Sequence, residues 1–339
     1  MGVYSGTQWC RAQGAPDTAI IDTIRTQTQI SDSDQRRIGE WIEAQVNKLK
    51  TLPDDQRGPS AIKLRELLRT QFENAGNSAA FKDQFASRVV AVAVAQLGDS
   101  GTNPRTGQTL CKVLLDLNRP EAVAAFLVGL KSKDAGVRML SASGLAAHRA
   151  ILVADKARLD QAIAALRDAG LAETEGVALD RMYWALAVPP TQVASVFDAF
   201  MAILDQRLKK RREGAAASDG AEISALEFFR TSGVIGALSQ PQKEQLARAV
   251  ATFMRLDAQR YATPNLQFSE IDRLQRLLDG AEEILVALVG AGKGGDVRGA
   301  LAGGQTPKQV LQQVHAWVGD ANQQGALNAA PWNVPAGAP

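Results

Sequence analysis

Residues that commonly build catalytic and metal sites are scarce in this chain. Only two cysteines and two histidines occur among its 339 residues. Cys10 and Cys111 are too few for a disulfide framework or a cysteine-based metal site, and the sequence leaves open whether they pair. His148 and His315 fall in separate predicted helices, and neither is followed by a glutamate. A metal would have to be bound mainly by scattered carboxylates, so no metal or other cofactor is expected.

Long apolar runs are also missing. The most apolar stretch, Val89–Leu97, is far shorter than the ~18 residues of a membrane helix, so no membrane span is expected. The first residues, MGVYSGTQWCR, lack the basic-then-apolar order of a secretory signal. As written, the chain is expected to be cytoplasmic, but it would be exported if a signal peptide had been removed ahead of Gly2. The sequence therefore leaves the compartment open.

The chain has neither an excess of one charge nor many aromatic residues. Lys and Arg total 38 against 36 Asp and Glu, which leaves a formal charge of +2. This balance gives no global field that would attract nucleic acid or an anionic membrane. Aromatic residues make up 5% of the chain, so its 45% hydrophobic share is mainly Ala, Leu and Val. Such a composition favours close helix packing over a β-sandwich.

Apolar residues do recur at helical spacing through nearly the whole sequence. The i, i+3, i+4, i+7 pattern is complete at Val123, Phe126, Leu127 and Leu130. No convincing period-2 strand finds a second one to pair with. This periodicity predicts an all-α protein of about fourteen helices. We expect these helices to form stacked antiparallel hairpins.

Breaks in the periodicity divide the chain into five segments. The loop Gly98–Gly107 and the segment Gly214–Gly220 mark two of the boundaries. The last segment is rich in Asn, Gln, Ala, Gly and Pro, which is typical of flexible chain. We predict a loose N-terminal segment (1–16), an N-terminal helical region (17–105), helical repeats (106–213), a C-terminal helical region (214–319) and a flexible tail (320–339).

One stretch, Arg119–Ala150, predicts two short helices closed by an Asp-x-x-Val-Arg turn. Its second helix resembles the HEAT-repeat signature D-x-x-V-R-x-x-A-A-x-A-L. The matching residues are Asp134, Val137, Arg138, Ala142 and Leu145, with Ser141 and Gly144 in place of two alanines. The resemblance implies a HEAT-like α-solenoid in the middle of the chain, with irregular helical ends.

A fainter second copy follows the first. The residues Val123–Phe126 recur as Ile163–Leu166, an offset of 40. Such an offset falls within the ~40–47 residue period of HEAT-type helix pairs. The second copy departs from the signature, because Leu179 stands where the arginine is expected. The repeat pattern is therefore clearest between residues 106 and 190.

The resemblance implies structural roles for the signature residues rather than chemistry. Asp134 is expected to cap its helix, and Arg138 to reach an Asp or a carbonyl group of a neighbouring repeat. Val137 and Leu145 complete the set of structural repeat residues. HEAT-like di-iron hydroxylases bind metal through His-Glu pairs, and this chain has none. HEAT-like DNA glycosylases hold DNA in a basic groove, which keeps nucleic acid as an alternative partner.

The sequence contains one concentrated basic run, RLKKRR. It is a candidate interaction patch for phosphate or an acidic partner, formed by Arg207, Lys209, Lys210, Arg211 and Arg212. The alternative is structural, because basic residues favour the C-terminal end of a helix, and Gly214 marks such an end. Since basic residues do not recur from hairpin to hairpin, nucleic acid is an unlikely partner.

No catalytic constellation appears. The glycine-rich segment Gly290–Gly295 has Gly294 where the Walker A pattern needs Ser or Thr, and no G-x-S-x-G motif is present. We therefore predict a non-catalytic scaffold for binding another protein. The alternatives are nucleic-acid or polyanion binding through the basic run, and an enzyme with an unrecognised site.

Overall fold

The computed structural model describes residues 18–216 and 219–336. The predicted all-α class is confirmed, because these ranges contain 17 α-helices and one 3-10 helix but no strand. The number exceeds the prediction of about fourteen, because helices such as Arg149–Ala154 and Val234–Ala237 are too short to show a period. The predicted loose segment 1–16, which includes Cys10, lies outside the described residues.

The chain divides into two compact units between Glu121 and Ala122. This division differs from the predicted boundary at 105/106, because the helix that begins at Pro104 packs against a helix of the N-terminal region. The first unit contains α1 (Ala19–Ile24), α2 (Asp32–Thr51), α3 (Asp54–Glu73), α4 (Ala79–Gly98) and α5 (Pro104–Leu117).

The helices of the first unit pack in two pairs, α2 with α4 and α3 with α5. The start of α2 is determined by its local sequence. The Ser31 side chain accepts a hydrogen bond from the Asp34 amide and caps the helix, as Ser and Thr commonly do. Arg65 of α3 donates to both carboxylate oxygens of Asp116 on α5, at 2.6 and 2.7 Å. Cys111 is buried within α5.

The second unit holds the remaining helices. They are α6 (Ala122–Gly129), α7 (Ala135–Ala147), α8 (Arg149–Ala154), α9 (Lys156–Ala172), α10 (Gly176–Leu186), the 3-10 helix Pro190–Gln192, α11 (Val193–Arg212), α12 (Ile223–Arg230), α13 (Val234–Ala237), α14 (Gln240–Tyr261), α15 (Phe268–Val289), α16 (Val297–Ala302) and α17 (Pro307–Val318).

Two series of helix–helix contacts run through the second unit. In one series α7 packs against α10, α10 against α12, and α12 against α15. In the other, α9 packs against α11, α11 against α14, and α14 against α17. Each series therefore links helices that are separated in the sequence by one or two other α-helices.

Aromatic side chains fill the core where α10, α11 and α12 meet. The Phe200 ring stacks on Phe228 with 4.7 Å between ring centroids, and on Tyr183 with 5.8 Å. Phe229 adds an edge contact to Phe200. Although aromatic residues are few in the chain, their clustering here makes this the bulkiest part of the core, since each buries a large apolar area.

The predicted flexible tail, 320–339, is described as far as residue 336. This segment folds back onto α17: the Leu327 amide donates to the Trp317 carbonyl at 2.9 Å, and the Ala326 amide to the Ala316 carbonyl at 3.0 Å. Leu327 and Trp332 are buried. The polar composition concealed these apolar anchors, which hold the segment in place.

Candidate functional site

The basic run lies at the C-terminal end of α11, but two of its arginines are in the interior. Arg207 is 3% exposed; its Nε donates to Glu222 at 2.9 Å, and its Nη2 donates to Asp219 at 2.6 Å. Arg211, four residues later on the same helix face, forms an ion pair with the buried Asp257. Ion pairs within the protein therefore already engage both guanidinium groups.

The rest of the basic run is divided between two faces of α11. Lys210 donates to the backbone carbonyls of Leu171 and Glu173, at 3.3 and 3.2 Å. Only Lys209 and Arg212 are exposed. Three of the five residues of the predicted interaction patch are thus engaged within the protein, because consecutive residues of a helix point in different directions.

Glu222 and Tyr183 are buried beside these arginines. Burial raises the pKa of Glu222 above its ordinary value, against the opposing effects of Arg211 and Arg207. Burial also raises the pKa of the Tyr183 hydroxyl, and the negative charge of Glu222 adds to that shift. Both side chains are 0% exposed, so a substrate could not reach them without opening the core. The burial of these residues is typical of a structural network of ion pairs.

The residues from which the sequence predicts a HEAT-like hairpin occupy structural positions. The Asp134 carboxylate accepts from the Val137 amide at 2.9 Å and caps α7. Arg138 donates to both carboxylate oxygens of Glu173, each at 2.6 Å, and to the carbonyls of Ser132 and Lys133.

The ion pair of Arg138 with Glu173 and the burial of two apolar side chains give the signature residues their structural roles. Burial by itself would raise the pKa of Glu173, but the Arg138 guanidinium and two backbone amides hold that pKa below its ordinary value. Val137 and Leu145 are buried. Arg138 thus joins the start of α7 to the end of α9.

An exposed surface on α10 was missed by sequence reasoning. Val177, Arg181 and Trp184 follow each other at helical spacing on the side opposite the buried residues of this helix. The side chains of Val177 and Trp184 are 66% and 39% exposed. The sequence signal for this surface is the pair Val177 and Trp184. These apolar residues are seven positions apart and lie on a different side of the helix from the core residues Leu179 and Met182.

Two arginines flank the exposed indole of Trp184. The guanidinium carbons of Arg149 and Arg181 lie 5.7 and 5.4 Å from the ring centroid, within the range of a cation–π contact. We call the four residues Arg149, Val177, Arg181 and Trp184 the Trp184 face. In the part of the chain that the structure describes, neither arginine forms an ion pair with a carboxylate.

Arg149 is the more buried of the two arginines. Its Nη2 donates to the Trp184 carbonyl oxygen, which fixes the side chain beside the ring. Burial lowers the pKa of Arg149, and no carboxylate opposes that effect. This contrasts with Arg138, whose pKa is raised by Glu173. The Trp184 face is therefore positively charged and contains an aromatic ring.

The histidines do not form a metal site. His148 is buried, and its Nδ1 lies 2.8 Å from the Gly144 carbonyl oxygen. His315 lies 3.2 Å from Asp320 at the end of α17. Within residues 18–216 and 219–336, no group of three or more His, Cys, Asp and Glu side chains is arranged to hold a metal ion.

In the described ranges, no single helix has both the length and the apolar content needed to cross a bilayer. The helices Gly176–Leu186 and Pro190–Arg212 meet both requirements only when they are taken together, and a 94° bend separates them.

Comparisons of the chain with protein-family models, curated proteins and solved structures found no match.

Proposed function

We propose that this protein is a non-catalytic scaffold of stacked helical hairpins, HEAT-like in its middle part, that binds another protein. The two contact series of the second unit support the stacking. One series joins α7, α10, α12 and α15, and the other joins α9, α11, α14 and α17, as the two layers of a hairpin array would. Arg138 supports it too, since its carboxylate partner belongs to the next hairpin.

The Trp184 face is the observation on which the binding function rests. Trp and Arg are the residues most enriched at binding hot spots, because each provides a large contact area together with a polar group. Arg149 and Arg181 bring two positive charges beside the indole and have no carboxylate partner among the described residues. A carboxylate of a partner would gain a charge-assisted hydrogen bond there. We therefore assign an acidic protein segment as the occupant of this face.

The burial and ion pairing of the charged residues favour this function over polyanion binding and over catalysis. A polyanion would have to compete with Asp219, Glu222 and Asp257 for two of the arginines in the basic run. An enzyme would need a reactive group that a substrate can reach, whereas Glu222 and Tyr183 are fully enclosed. The exposed Trp184 face needs no rearrangement to be used.

The test compares Trp184→Ala with Phe268→Ala in capture experiments on extracts of the native host. Phe268 is a matched control because its aromatic side chain is 86% exposed and lies on another helix. Proteins retained by the wild type and by Phe268→Ala but lost with Trp184→Ala are then purified, and their direct binding is measured.

We expect Trp184→Ala to weaken direct binding by about 2 kcal/mol or more, or about thirtyfold in Kd. Arg149→Gln and Arg181→Gln should weaken it as well, and the wild-type affinity should fall with added salt, because exposed charges are screened. The proposal is wrong if the same proteins bind all variants equally, or if purified partners bind with no dependence on salt.

A further inference from the structure

A cavity that is separate from the Trp184 face opens between the end of α11, α14 and α15. Its volume is about 500 Å³, which is within the range of about 300–1,000 Å³ for small-molecule sites. Three arginines line it, one from each helix, together with two carboxylates. These charged residues are Arg211, Arg260, Arg273, Asp219 and Glu270.

Two of the three arginines that line this cavity form ion pairs within the protein. Arg260 donates to Glu270 at 2.7 Å, and Asp219 accepts from Arg207 at 2.6 Å. Arg211 pairs with Asp257 behind the cavity wall. Arg273 has neither an ion pair nor a hydrogen bond with any residue in the described ranges, and its Nε atom is buried. The Nη atoms of Arg273 are not enclosed in this way, so a bound acceptor would reach the guanidinium through them.

The stem of Arg273 is held in position by the loop that precedes α12. Gly220 has a φ of +81°, and a Cβ atom at this position would lie 3.2 Å from the Arg273 Cδ and 3.1 Å from the Ile223 Cδ1. A side chain at 220 would therefore press on the stem and strain the backbone. The glycine lets the loop pack closely over Arg273 beside the cavity.

From this geometry we infer that the cavity binds a small molecule through a single carboxylate group, with Arg273 as its anchor. The planar guanidinium matches a carboxylate with two parallel hydrogen bonds. A monocarboxylate brings one negative charge to Arg273, whereas a phosphate dianion would bring a second negative charge towards Asp219 and Glu270, which line the same cavity. The volume leaves space for a body attached to the carboxylate.

Benzoate is the probe, and benzamide is its uncharged counterpart of the same shape. Each is titrated into the full chain at constant ionic strength, with isothermal calorimetry for Kd and thermal unfolding for stabilisation. Arg273→Gln removes the anchor. Arg276→Gln is the matched control, because Arg276 lies on the same helix, is exposed and does not line this cavity.

We expect benzoate to bind the wild type and Arg276→Gln equally, and to raise their melting temperature. Binding to Arg273→Gln should be about tenfold to a hundredfold weaker, as for loss of a charged hydrogen bond. Benzamide should bind no variant measurably, and sulfate should stabilise less than benzoate. If Arg273→Gln fails to fold, Arg273→Lys retains the charge without the fork and should bind with intermediate affinity.

Three results would overturn this assignment. Benzoate without effect on the wild type excludes the site, and equal binding by benzoate and benzamide excludes the carboxylate as the recognised group. Unchanged affinity in Arg273→Gln, or in Arg273→Lys if that variant is used, excludes the anchor. None of these results bears on the Trp184 face, which lies on other helices.

Discussion

Arg138 donates two hydrogen bonds of 2.6 Å to Glu173, a carboxylate with a fully buried side chain. The pair connects the first turn of α7 with the residue that follows α9. The Glu173 carboxylate also accepts from the amides of Thr174 and Glu175, at 2.9 and 3.0 Å. The buried Glu173 carboxylate thus binds both the backbone that leads into α10 and the Arg138 side chain of α7.

Glu173→Gln is expected to destabilise the protein by about 3 kcal/mol, because it leaves the mostly buried Arg138 without its counter-charge. Arg138→Met should cost a similar amount, since the carboxylate then stays buried without its cation. Combining the two substitutions should cost less than the sum of the single changes. Urea unfolding of the four proteins measures this coupling; strictly additive costs would show that the pair does not act as a unit.

The same pair predicts a loss of stability in acid. Because the folded state holds the pKa of Glu173 below its ordinary value of 4.5, the pair contributes fully above that value. Its contribution is lost as the pH falls through the lower, folded-state pKa. The difference in unfolding free energy between wild type and Glu173→Gln should therefore hold steady above pH 4.5 and narrow as the pH falls below it. A constant difference would contradict the prediction.

Glu222 should show the opposite dependence. Burial raises its pKa in the folded state, so the folded protein binds this proton more tightly than the unfolded chain. The stability that this proton contributes is present below the ordinary pKa and is lost as the pH rises through the folded-state value. Relative to Glu222→Gln, the wild type should therefore become less stable as the pH is raised. Urea unfolding at a series of pH values checks the sign, and a rising relative stability would refute it.

Gly144→Ala tests the close approach of α6 and α7. A Cβ at position 144 would lie 2.4 Å from the Phe126 ring, so the substitution should destabilise by about 1–3 kcal/mol through overpacking. Phe126→Leu should relieve part of that cost in the double variant. Gly39→Ala is the control: its Cβ would meet only the Arg88 Cδ, at 3.5 Å, and it should stabilise α2 by about 0.5–1 kcal/mol. Denaturant unfolding distinguishes the two sites.

Leu327→Ala tests the packing of the C-terminal segment on α17. Leu327 is 0% exposed, so its truncation should cost about 2–5 kcal/mol if the segment unfolds together with the rest of its unit. If the segment opens locally, the change should appear as faster proteolysis after residue 320. Gln324→Ala is the matched control, because Gln324 is exposed. Equal unfolding and equal proteolysis of both variants would mean that the segment is not held by Leu327.

The sequence was informative where a pattern depends on one helix and its neighbours. Helical periodicity predicted the all-α class, and the signature placed Asp134 at a helix start and Arg138 at a contact between helices. It could not identify Glu173 as the partner, because that choice depends on how the chain returns after α9. For the same reason, the acidic partners of Arg207 and Arg211 were not visible in the run RLKKRR. Their carboxylates lie in segments that only the fold brings close.

The exposed residues were harder to predict than the buried ones. Trp184 lies between core residues in the sequence, and its exposure follows from which side of α10 faces other helices. Arg273 looked like any charged residue on the outer face of an amphipathic helix. Its lack of an ion-pair partner among the described residues emerges only once the pairs formed by Arg211 and Arg260 are known.

The contact of Phe126 with Gly144 has an evolutionary consequence. The repeat pattern favours alanine at the position of Gly144, yet the Phe126 ring already occupies the space that a methyl group would need. The two positions therefore divide one fixed volume between neighbouring helices. In homologous chains they should covary, so that a lineage with alanine at 144 carries a smaller side chain at 126.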